Sequence, residues 1–471
     1  MICMPFSEKI KKDVSKKAYY RCSICHRIES LDIHHIIPQS EGGSDEINNA
    51  APLCKSCHKI YSFNPNRRNF IRNKRDDWYE NANLIVQKDI SEIEGLKGYN
   101  VKDFMHRKGQ HCESSAMRDL FEFYGFPMSE PMAFGLDATM GFGFFDTTNS
   151  VSFIPESDIP FFLGGKQGTI EPNSLACRLL GITLRKQSFT SANKAWEESK
   201  KMLNQNIPLI LKVDLGYLPY FEKDGEIHFG GHAITLAGYD EDKGIALVGD
   251  SEFEGFQEVA IEILKEARSS EYGPKFMRPS NAQFSMVRRP DGKHPPLAAG
   301  VKVAIQKVVD NMLRPSVNNN GVQGLKLFAT SIPQWNKKLQ GIAKDPQGKS
   351  ISRARLMFEL LHGYIETWGT GGSSFRNLYR QFLEELLNHP EITEGPKAWN
   401  SEDFRIIKEC IPIISKSAHN WTMIADTLKD AAEEYKDDCL DYINLDELQS
   451  IALVILNQEE ILFNKLNKLK I

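Results

Sequence analysis

Residues 31–58, LDIHHIIPQSEGGSDEINNAAPLCKSCH, decide the fold of the N-terminal part of this chain. The stretch begins with two adjacent histidines, His34 and His35, and ends in a Cys-x-x-Cys-His sequence whose last residue is His58. Between them, Gly42-Gly43 allows the chain to reverse between a strand and a helix. The pattern predicts a small module with more metal-binding side chains than a single site can use.

Two Cys-x-x-Cys pairs predict a structural zinc site. Cys22 and Cys25 form the first pair, and Cys54 and Cys57 form the second. Four thiolates suit a closed tetrahedral zinc site, and a module of about 60 residues has too small a core to fold unaided. The alternative is four unrelated buried cysteines. The chain has nine cysteines, and an odd number without a signal peptide argues against a disulfide framework.

The histidines require a second site, because a closed four-cysteine site has no open position for chemistry. One histidine can bind a catalytic divalent cation while its neighbour removes a proton from water. The cation would stabilise charge on a phosphodiester. Asn49 can fix the loop by bonding to the backbone and so hold the general base in place.

These motifs together resemble the HNH endonuclease family over about residues 7–80, with a ββα-metal core held by two zinc knuckles. The resemblance implies that His35 is the general base and that His34 and His58 bind Mg²⁺ or another divalent cation. It also implies DNA as the partner. Asn49 matches the family's central asparagine, with Asn48 as the fallback. The alternative is an inactive HNH fold that only binds.

The charge distribution fits a segment that faces nucleic acid. Residues 1–80 hold 14 Lys and Arg against 10 Asp and Glu, which is +4, whereas the net charge of the whole chain is −4. A basic helix is predicted within NPNRRNFIRNKRDDWYE. Its cations could contact phosphates, or it could simply be a solvated helix that packs Trp78 and Tyr79 on the core. These cations are Arg67, Arg68, Arg72, Lys74 and Arg75.

A second catalytic centre is predicted around Cys112, which stands just before an apolar-periodic helix. The helix N-terminus favours a thiolate there, and the backbone N–H of Cys112 could bind an oxyanion. His232 begins one predicted strand and Asp250 ends the next. A Cys, a His and an acid in this order are typical of a papain-like site, in which His232 activates Cys112 and Asp250 orients the imidazole. The alternative is a buried core cysteine.

This region resembles the BtrH-type acyltransferase family of butirosin biosynthesis, whose N-terminal domain is papain-like. The matching segments include HCESSAMRDLF, HFGGHAITLAGYD and GDSEFEGFQEV, followed by IETWGTGGSSFRNLYRQFL in a C-terminal helical domain. The resemblance covers about residues 107–390 and implies acyl transfer or amide hydrolysis through a thioester. Gln110 lies nearer to Cys112 than the oxyanion glutamine of papain lies to its cysteine. A Gly-rich break interrupts this helical domain and contains Gly371, Gly372, Phe375 and Arg376. This break could reach the active site or only cap a helix.

The predicted fold class is multidomain α+β. We expect an HNH module at 1–80, a connector at 81–106, a papain-like domain at 107–290 and a helical domain at 291–471. Strands are predicted at 208–214, 232–240 and 244–251, and two of the C-terminal helices at 402–415 and 417–436. No apolar run is long enough to span a membrane and no signal peptide is evident, so the predicted location is the cytoplasm.

Three functions compete. In the first, the nuclease is the effector of a bacterial defence or toxin-like protein, and the cysteine domain regulates it. In the second, the cysteine enzyme is the effector and the HNH module recognises DNA. In the third, the protein is a non-catalytic scaffold. The acyl, peptide or protein substrate at Cys112 is unspecified, and a homo-oligomer is left open.

Overall fold

The structure is a computed structural model that describes residues 6–18, 20–25, 31–61, 67–80, 96–147, 159–221, 228–273, 275–288, 294–345 and 348–470. The chain divides into two compact units. The N-terminal unit extends to Lys97, and the larger unit contains nearly all of the remaining described residues. Most of the predicted connector, residues 81–95, lies outside the described residues.

The N-terminal unit has a ββα core. Its strands pair in antiparallel fashion, so that His34 lies opposite Ala51 and His35 opposite Ala50. Helix α2 begins directly after the second strand and carries His58. The elements in chain order are α1 Glu8–Lys17, β1 Leu31–His35, β2 Ala50–Cys54, α2 Lys55–Tyr61 and α3, residues 68–80.

The loop between β1 and β2 is tight enough to require glycine. A Cβ atom on Gly43 would lie 1.9 Å from the carbonyl oxygen of Ile37, and Gly42 has a φ of +85°. Any side chain at position 43 would therefore displace the backbone of the opposite arm.

An antiparallel sheet forms the centre of the larger unit, in the order β10-β9-β8-β7-β11-β6, with β3 also paired to β8. Thr235 of β8 lies opposite Gly249 of β9. Because these two strands are antiparallel, the start of β8 and the end of β9 lie at the same edge of the sheet. The strands are β3 Gly98–Asn100, β4 Met140–Asp146, β5 Phe161–Lys166, β6 Ile182–Gln187, β7 Leu209–Val213, β8 His232–Asp240, β9 Ile245–Gly249, β10 Phe256–Ala260, β11 Gln283–Arg288, β12 Ile342–Lys344 and β13 Ser350–Ser352.

Helices flank this sheet and dominate the C-terminal region. The structure confirms the predicted fold class, which mixes α and β structure with a helical C-terminal region. The helices are α4 Cys112–Phe123, α5 Glu130–Asp137, α6 Leu175–Leu179, α7 Ala192–Leu203, α8 Ile261–Ser269, α9 Leu297–Leu313, α10 Gly321–Ser331, α11 Trp335–Lys338, α12 Arg353–His362, α13 Arg376–Leu386, α14 Pro390–Thr393, α15 Ser401–Tyr435, α16 Cys439–Tyr442 and α17 Leu445–Leu466.

The two helices predicted at 402–415 and 417–436 are one helix, α15, so that prediction was wrong. Its buried positions continue without a break through Ile414, Ser417, Trp421 and Ile424. This spacing keeps one apolar stripe facing the core, and no residue near position 416 is of a type that ends a helix. Even Pro412 lies inside α15, although proline removes one backbone hydrogen bond.

The domains predicted at 107–290 and 291–471 share one hydrophobic core. Buried residues from Val101 to Leu469 belong to a single continuous cluster. Gly98–Asn100, assigned from sequence to the connector, is a strand that pairs with Gly238, Tyr239 and Asp240. The sequence could not indicate either feature, because both depend on contacts between distant segments.

Within the described residues, no helix is both long and apolar enough to cross a membrane.

Candidate functional site

The four cysteines of the two Cys-x-x-Cys pairs meet in the N-terminal unit. Their sulfur atoms all lie within 4.8 Å of one another, and the Sγ atoms of Cys25 and Cys54 are 3.7 Å apart. Zinc–sulfur bonds of about 2.3 Å in a tetrahedron require sulfur atoms about 3.8 Å apart. The backbone N–H of Cys57 also donates to the Sγ of Cys54 at 3.4 Å. The donor set and its spacing therefore fit a structural zinc ion, which would join the two knuckles when bound.

We expect purified protein to contain one zinc ion per chain and the Cys54→Ser variant to contain less than a tenth of that. The variant removes one of four thiolates, and a three-thiolate site holds zinc much less tightly. Elemental analysis of the full chain would measure the zinc content. Cys112→Ser is the matched control, because Cys112 lies in the other unit. Zinc-free wild-type protein would contradict the assignment.

His34 and His58 face each other in a separate site. Their ring centroids are 5.0 Å apart in an edge-on arrangement, which allows a nitrogen from each ring to reach one cation. Burial, followed by the charges of His58 and His35, lowers the pKa of His34 to about 4. A neutral imidazole offers a free lone pair to a metal at neutral pH. Two protein ligands would leave positions for phosphate and water, in contrast to the closed cysteine site.

His35 points away from this pair, because adjacent residues of a strand face opposite sides. Its Nε2 lies 2.7 Å from Oδ1 of Asp45, which also accepts a hydrogen bond from the Gln39 side chain at 2.6 Å. The Phe6 ring stacks on the imidazole, with centroids 3.7 Å apart. Asp45 and Phe6 were not predicted from sequence, since nothing in their spacing distinguishes them from other loop residues.

Asn49 ties the two arms of the loop together. Its Oδ1 accepts the N–H of Ile37 at 2.8 Å, and its Nδ2 donates to the carbonyl oxygens of Ile37 and Ser44, both at 2.9 Å. Asn49 is buried, whereas the fallback residue Asn48 is exposed. The backbone that follows His35 is thereby held at a fixed place relative to the start of β2.

Of the five cations on the predicted basic helix, Arg75 does not face solvent. It is 6% exposed, and its guanidinium donates to the carbonyl of Asn48 at 2.7 Å and to the Asp76 carboxylate. Arg75 therefore fastens α3 to the residues at the start of β2, and its guanidinium is not available for the predicted contact with phosphate. Arg68 forms a bidentate pair with Glu41, and Lys74 is exposed.

Cys112, His232 and Asp250 come together at one edge of the large sheet. Nε2 of His232 lies 2.7 Å from Oδ2 of Asp250, and Cys112 lies near enough to His232 to favour its charged form. Since Nε2 is taken by Asp250, Nδ1 is the nitrogen that remains available to the thiol. Burial opposes a charge on His232, but the charge and hydrogen bond of Asp250, with Cys112, raise its pKa to about 10.

Two groups support the Asp250 carboxylate. Tyr220 donates its hydroxyl to Oδ2 at 2.9 Å, and the backbone N–H of Glu252 donates to Oδ1 at 3.2 Å. Burial favours the neutral acid, yet the His232 charge and these hydrogen bonds lower the pKa of Asp250. The carboxylate is therefore ionised at neutral pH.

His106, a buried histidine that was not predicted from sequence, joins α4 to the loop that contains Asp250. Nδ1 of His106 lies 2.6 Å from the Asp119 carboxylate of α4, and Nε2 lies 2.9 Å from the carbonyl oxygen of Asp250. Burial opposes protonation, but Asp119 and the carbonyls raise the pKa of His106. A ring with an acceptor at each nitrogen is held as an imidazolium and fixes the separation of the two elements.

The Gly-rich break reaches the vicinity of Cys112 only in part. A Cβ on Gly371, which has a φ of +66°, would lie 2.9 Å from Oε1 of Gln110. Gly372 has no such approach; a Cβ there would meet Asn377 and Glu366 instead. Phe375 packs edge-on against His111, with centroids 5.1 Å apart.

Arg376 does not reach the active site, so that possibility was wrong. It is fully buried and forms a bidentate ion pair with Glu459 at 2.7 and 2.8 Å. Glu459 also accepts from Ser417 and Trp421, so α13, α15 and α17 meet at this carboxylate. A buried cation needs such a partner, and the nearest one lies in the helical core.

Three family models match the chain. The model described as HNH endonuclease matches residues 21–63, the model described as butirosin biosynthesis protein H, N-terminal, matches 111–251, and a domain of unknown function (DUF4872) matches 262–466. The Cys-x-x-Cys pairs and the three histidines fall within the first match, and Cys112, His232 and Asp250 fall within the second.

Two curated proteins are similar to parts of the chain. Anaredoxin of Nostoc sp. (strain PCC 7120) is 44% identical over 54 residues, which are 11% of this chain and 71% of that protein. The type IV methyl-directed restriction enzyme EcoKMcrA of Escherichia coli (strain K12) is 39% identical over 41 residues, which are 9% of this chain and 15% of the enzyme. The chain thus spans most of the first relative but only a small part of the second.

Proposed function

We propose that this chain is a metal-dependent DNA endonuclease governed by a cysteine acyl-transfer domain. The chain belongs to the HNH endonuclease family through residues 21–63 and to the BtrH-type family through residues 111–251. The observation that carries the nuclease assignment is that the two adjacent histidines of β1 face opposite sides of the strand. His34 faces His58 on one side of the strand, and His35 faces Asp45 on the other.

His35 acts as the general base. Its Nε2 is engaged by Asp45, so Nδ1 takes the proton from the attacking water. Asp45 and the stacked Phe6 ring fix the orientation of the imidazole, and Asn49 holds the loop that follows it. His34 and His58 hold a divalent cation, Mg²⁺ or a related metal, which when bound stabilises charge on the phosphate.

Cys112 acts as a nucleophile toward an acyl group. His232 supplies the counter-charge to the thiolate and later gives a proton to the leaving group, while Asp250 keeps the imidazole in place. The substrate class is a thioester, an ester or an amide. The family resemblance favours acyl transfer, and peptide hydrolysis uses the same groups.

Our proposed biological role is a cytoplasmic bacterial defence or toxin-like effector in which the cysteine domain controls the nuclease. The pairing of the two domains supports this role by association, because a nuclease must be restrained. EcoKMcrA is by name a restriction enzyme, which agrees with a DNA substrate for the similar segment. In the second candidate function, the cysteine enzyme is the effector and the HNH module recognises DNA.

We expect the full chain to nick supercoiled plasmid in the presence of Mg²⁺ or Mn²⁺ and to be inactive in EDTA. Cys112→Ala is expected to raise the cleavage rate several-fold, because the proposed cysteine domain restrains the nuclease. An agarose-gel time course measures both effects. An unchanged rate in Cys112→Ala would reject control by the cysteine domain, and metal-independent or absent cleavage would reject the nuclease.

Expression in bacterial cells distinguishes the two hypotheses about which domain is the effector. Growth of a bacterial host that expresses the chain should be impaired by wild-type protein and restored by His35→Ala if the nuclease is the effector. Restoration by Cys112→Ala but not by His35→Ala would favour the second candidate function.

A further inference from the structure

His111, the residue immediately before Cys112, is placed at the N-terminus of α4 as a side-chain cap. Its Nδ1 accepts the backbone N–H of Ser114 at 3.2 Å. A backbone N–H can only donate, so Nδ1 carries no proton and the proton of a neutral ring resides on Nε2. The His111 residue is 7% exposed, so the ring is more than nine-tenths buried.

The ring of His111 is held more firmly than capping requires. Phe375 and Phe134 pack edge-on against it, with centroids at 5.1 and 6.3 Å. Its backbone N–H donates to Oε1 of Glu130 at 2.8 Å, and the same oxygen accepts the Ser114 hydroxyl at 2.8 Å. Side chains fixed by several neighbours are typical of groups that must keep a set geometry during a reaction.

The environment also fixes the charge of His111. Burial, followed by the charge of Lys166, lowers its pKa to about 3, with Lys212 and His232 contributing and Glu113 opposing. Lys166 and Lys212 both bond to the buried Glu113 carboxylate at 2.5 Å, so this cluster keeps a net positive charge beside the ring. His111 therefore stays a neutral donor with one proton throughout the working pH range.

The Nε2–H of His111 has no hydrogen-bond partner within the part of the chain that the structure describes. A donor that no protein group uses is available to a ligand. We propose that His111 Nε2–H donates a hydrogen bond to the acyl oxygen of the substrate and so forms the oxyanion site of the Cys112 reaction, together with the backbone N–H of Cys112.

His111 is better placed for this role than Gln110, because it directly precedes Cys112. The side-chain amide of Gln110 donates to Oε1 of Gln381 at 3.1 Å, so one of its two N–H donors is already engaged. The sequence raised Gln110 only because papain uses a glutamine. A neutral histidine beside the nucleophile supplies the same kind of donor, an N–H that is fixed before the reaction begins.

The inference rests on the proposed acyl chemistry of Cys112. The thiolate sulfur forms a bond to the acyl carbon, and the carbonyl π electrons move to oxygen, which becomes the oxyanion bound by His111. When the carbonyl re-forms, the bond to the leaving oxygen, sulfur or nitrogen breaks. The leaving group keeps that electron pair and takes the proton from Nδ1 of the His232 imidazolium.

Two substitutions separate capping from oxyanion binding. His111→Asn places an amide oxygen where Nδ1 lies, so it can still accept the Ser114 N–H, but it has no donor at the Nε2 position. His111→Gln places an amide N–H near the Nε2 position. The probe is 4-nitrophenyl acetate, and acetylation of Cys112 in the full chain is followed by peptide mass spectrometry. Alkylation by iodoacetamide is the parallel readout, because it forms no oxyanion.

We expect His111→Asn to slow acetylation of Cys112 by about 10²- to 10³-fold, the usual effect of losing one oxyanion donor, while alkylation stays within about twofold. His111→Gln should recover at least part of the lost acetylation rate. Equal acetylation of His111→Asn and wild type would overturn the inference and leave the acyl chemistry standing. A matched loss of alkylation would show a structural role and also overturn it. Failure of wild-type Cys112 to be acetylated would instead reject the proposed acyl chemistry, and the inference with it.

Discussion

Replacing His35 by alanine is expected to lower the rate of DNA cleavage by about 10²- to 10⁴-fold, the usual contribution of a general base. The fold should survive, because the four-cysteine zinc site holds the module, and the hydrogen bond and ring stack that His35 loses are those to Asp45 and Phe6. The measurement is the initial rate of plasmid nicking at saturating Mg²⁺, with zinc content as the test of folding.

The matched variant is His58→Ala, which should lose activity through weaker metal binding. Excess Mn²⁺ should restore part of the activity of His58→Ala and none of that of His35→Ala. His419→Ala is the neutral control, since His419 is exposed and lies in the larger unit. If His35→Ala cuts DNA as fast as wild type, His35 is not the general base. Loss of zinc by His35→Ala would show that the residue is structural.

Removing His232 is expected to slow alkylation of Cys112 by roughly 100-fold at pH 6 and by less than about twofold at pH 9. An ordinary thiol, with a pKa of about 8.5, is almost wholly protonated at pH 6 and mostly ionised at pH 9. The variant lacks the charged His232 ring beside Cys112, and the expected loss of rate tests the role of that charge. Peptide mass spectrometry after timed exposure to iodoacetamide measures the rate at each pH.

The protein supplies its own internal comparison. Burial raises the pKa of Cys177 and Cys410 to about 12 and that of Cys439 to about 11, so these thiols should react slowly at both pH values. Asp250→Asn should have a smaller effect than His232→Ala, because Asp250 contacts the imidazole and not the sulfur. Were Cys112 no faster than the other three, it would be a packed core thiol and the chain would have one active site.

The raised pKa of His232 also sets the sign of its effect on stability. The folded protein holds this proton more tightly than the unfolded chain, in which histidine has its ordinary pKa of 6.5. Its contribution to the free energy of unfolding is therefore complete below about pH 6.5 and is lost as the pH rises toward about 10. Wild type should lose this contribution between those values, and His232→Ala should not.

The metal-binding and nucleophilic residues were predicted from sequence because local spacing constrains them. A Cys-x-x-Cys pair can direct both sulfurs to one point, and the two pairs do so with all four sulfurs within 4.8 Å. Cys112 begins α4 as predicted, and β8 runs from His232 to Asp240 as predicted. These positions follow from backbone periodicity and from helix and strand termini, which a few consecutive residues decide.

Other features depended on which faces of distant elements pack together. His106 lies 144 residues from Asp250, and Arg376 lies 83 residues from Glu459, yet each pair forms a buried contact. The partners of His35 and the free donor of His111 were likewise invisible, since hydrogen bonds across a loop or a core leave no periodic signal. The sequence specified which side chains could do chemistry. Tertiary packing alone decided their orientation, their protonation and their neighbours, because burial and charge arise only when distant segments meet.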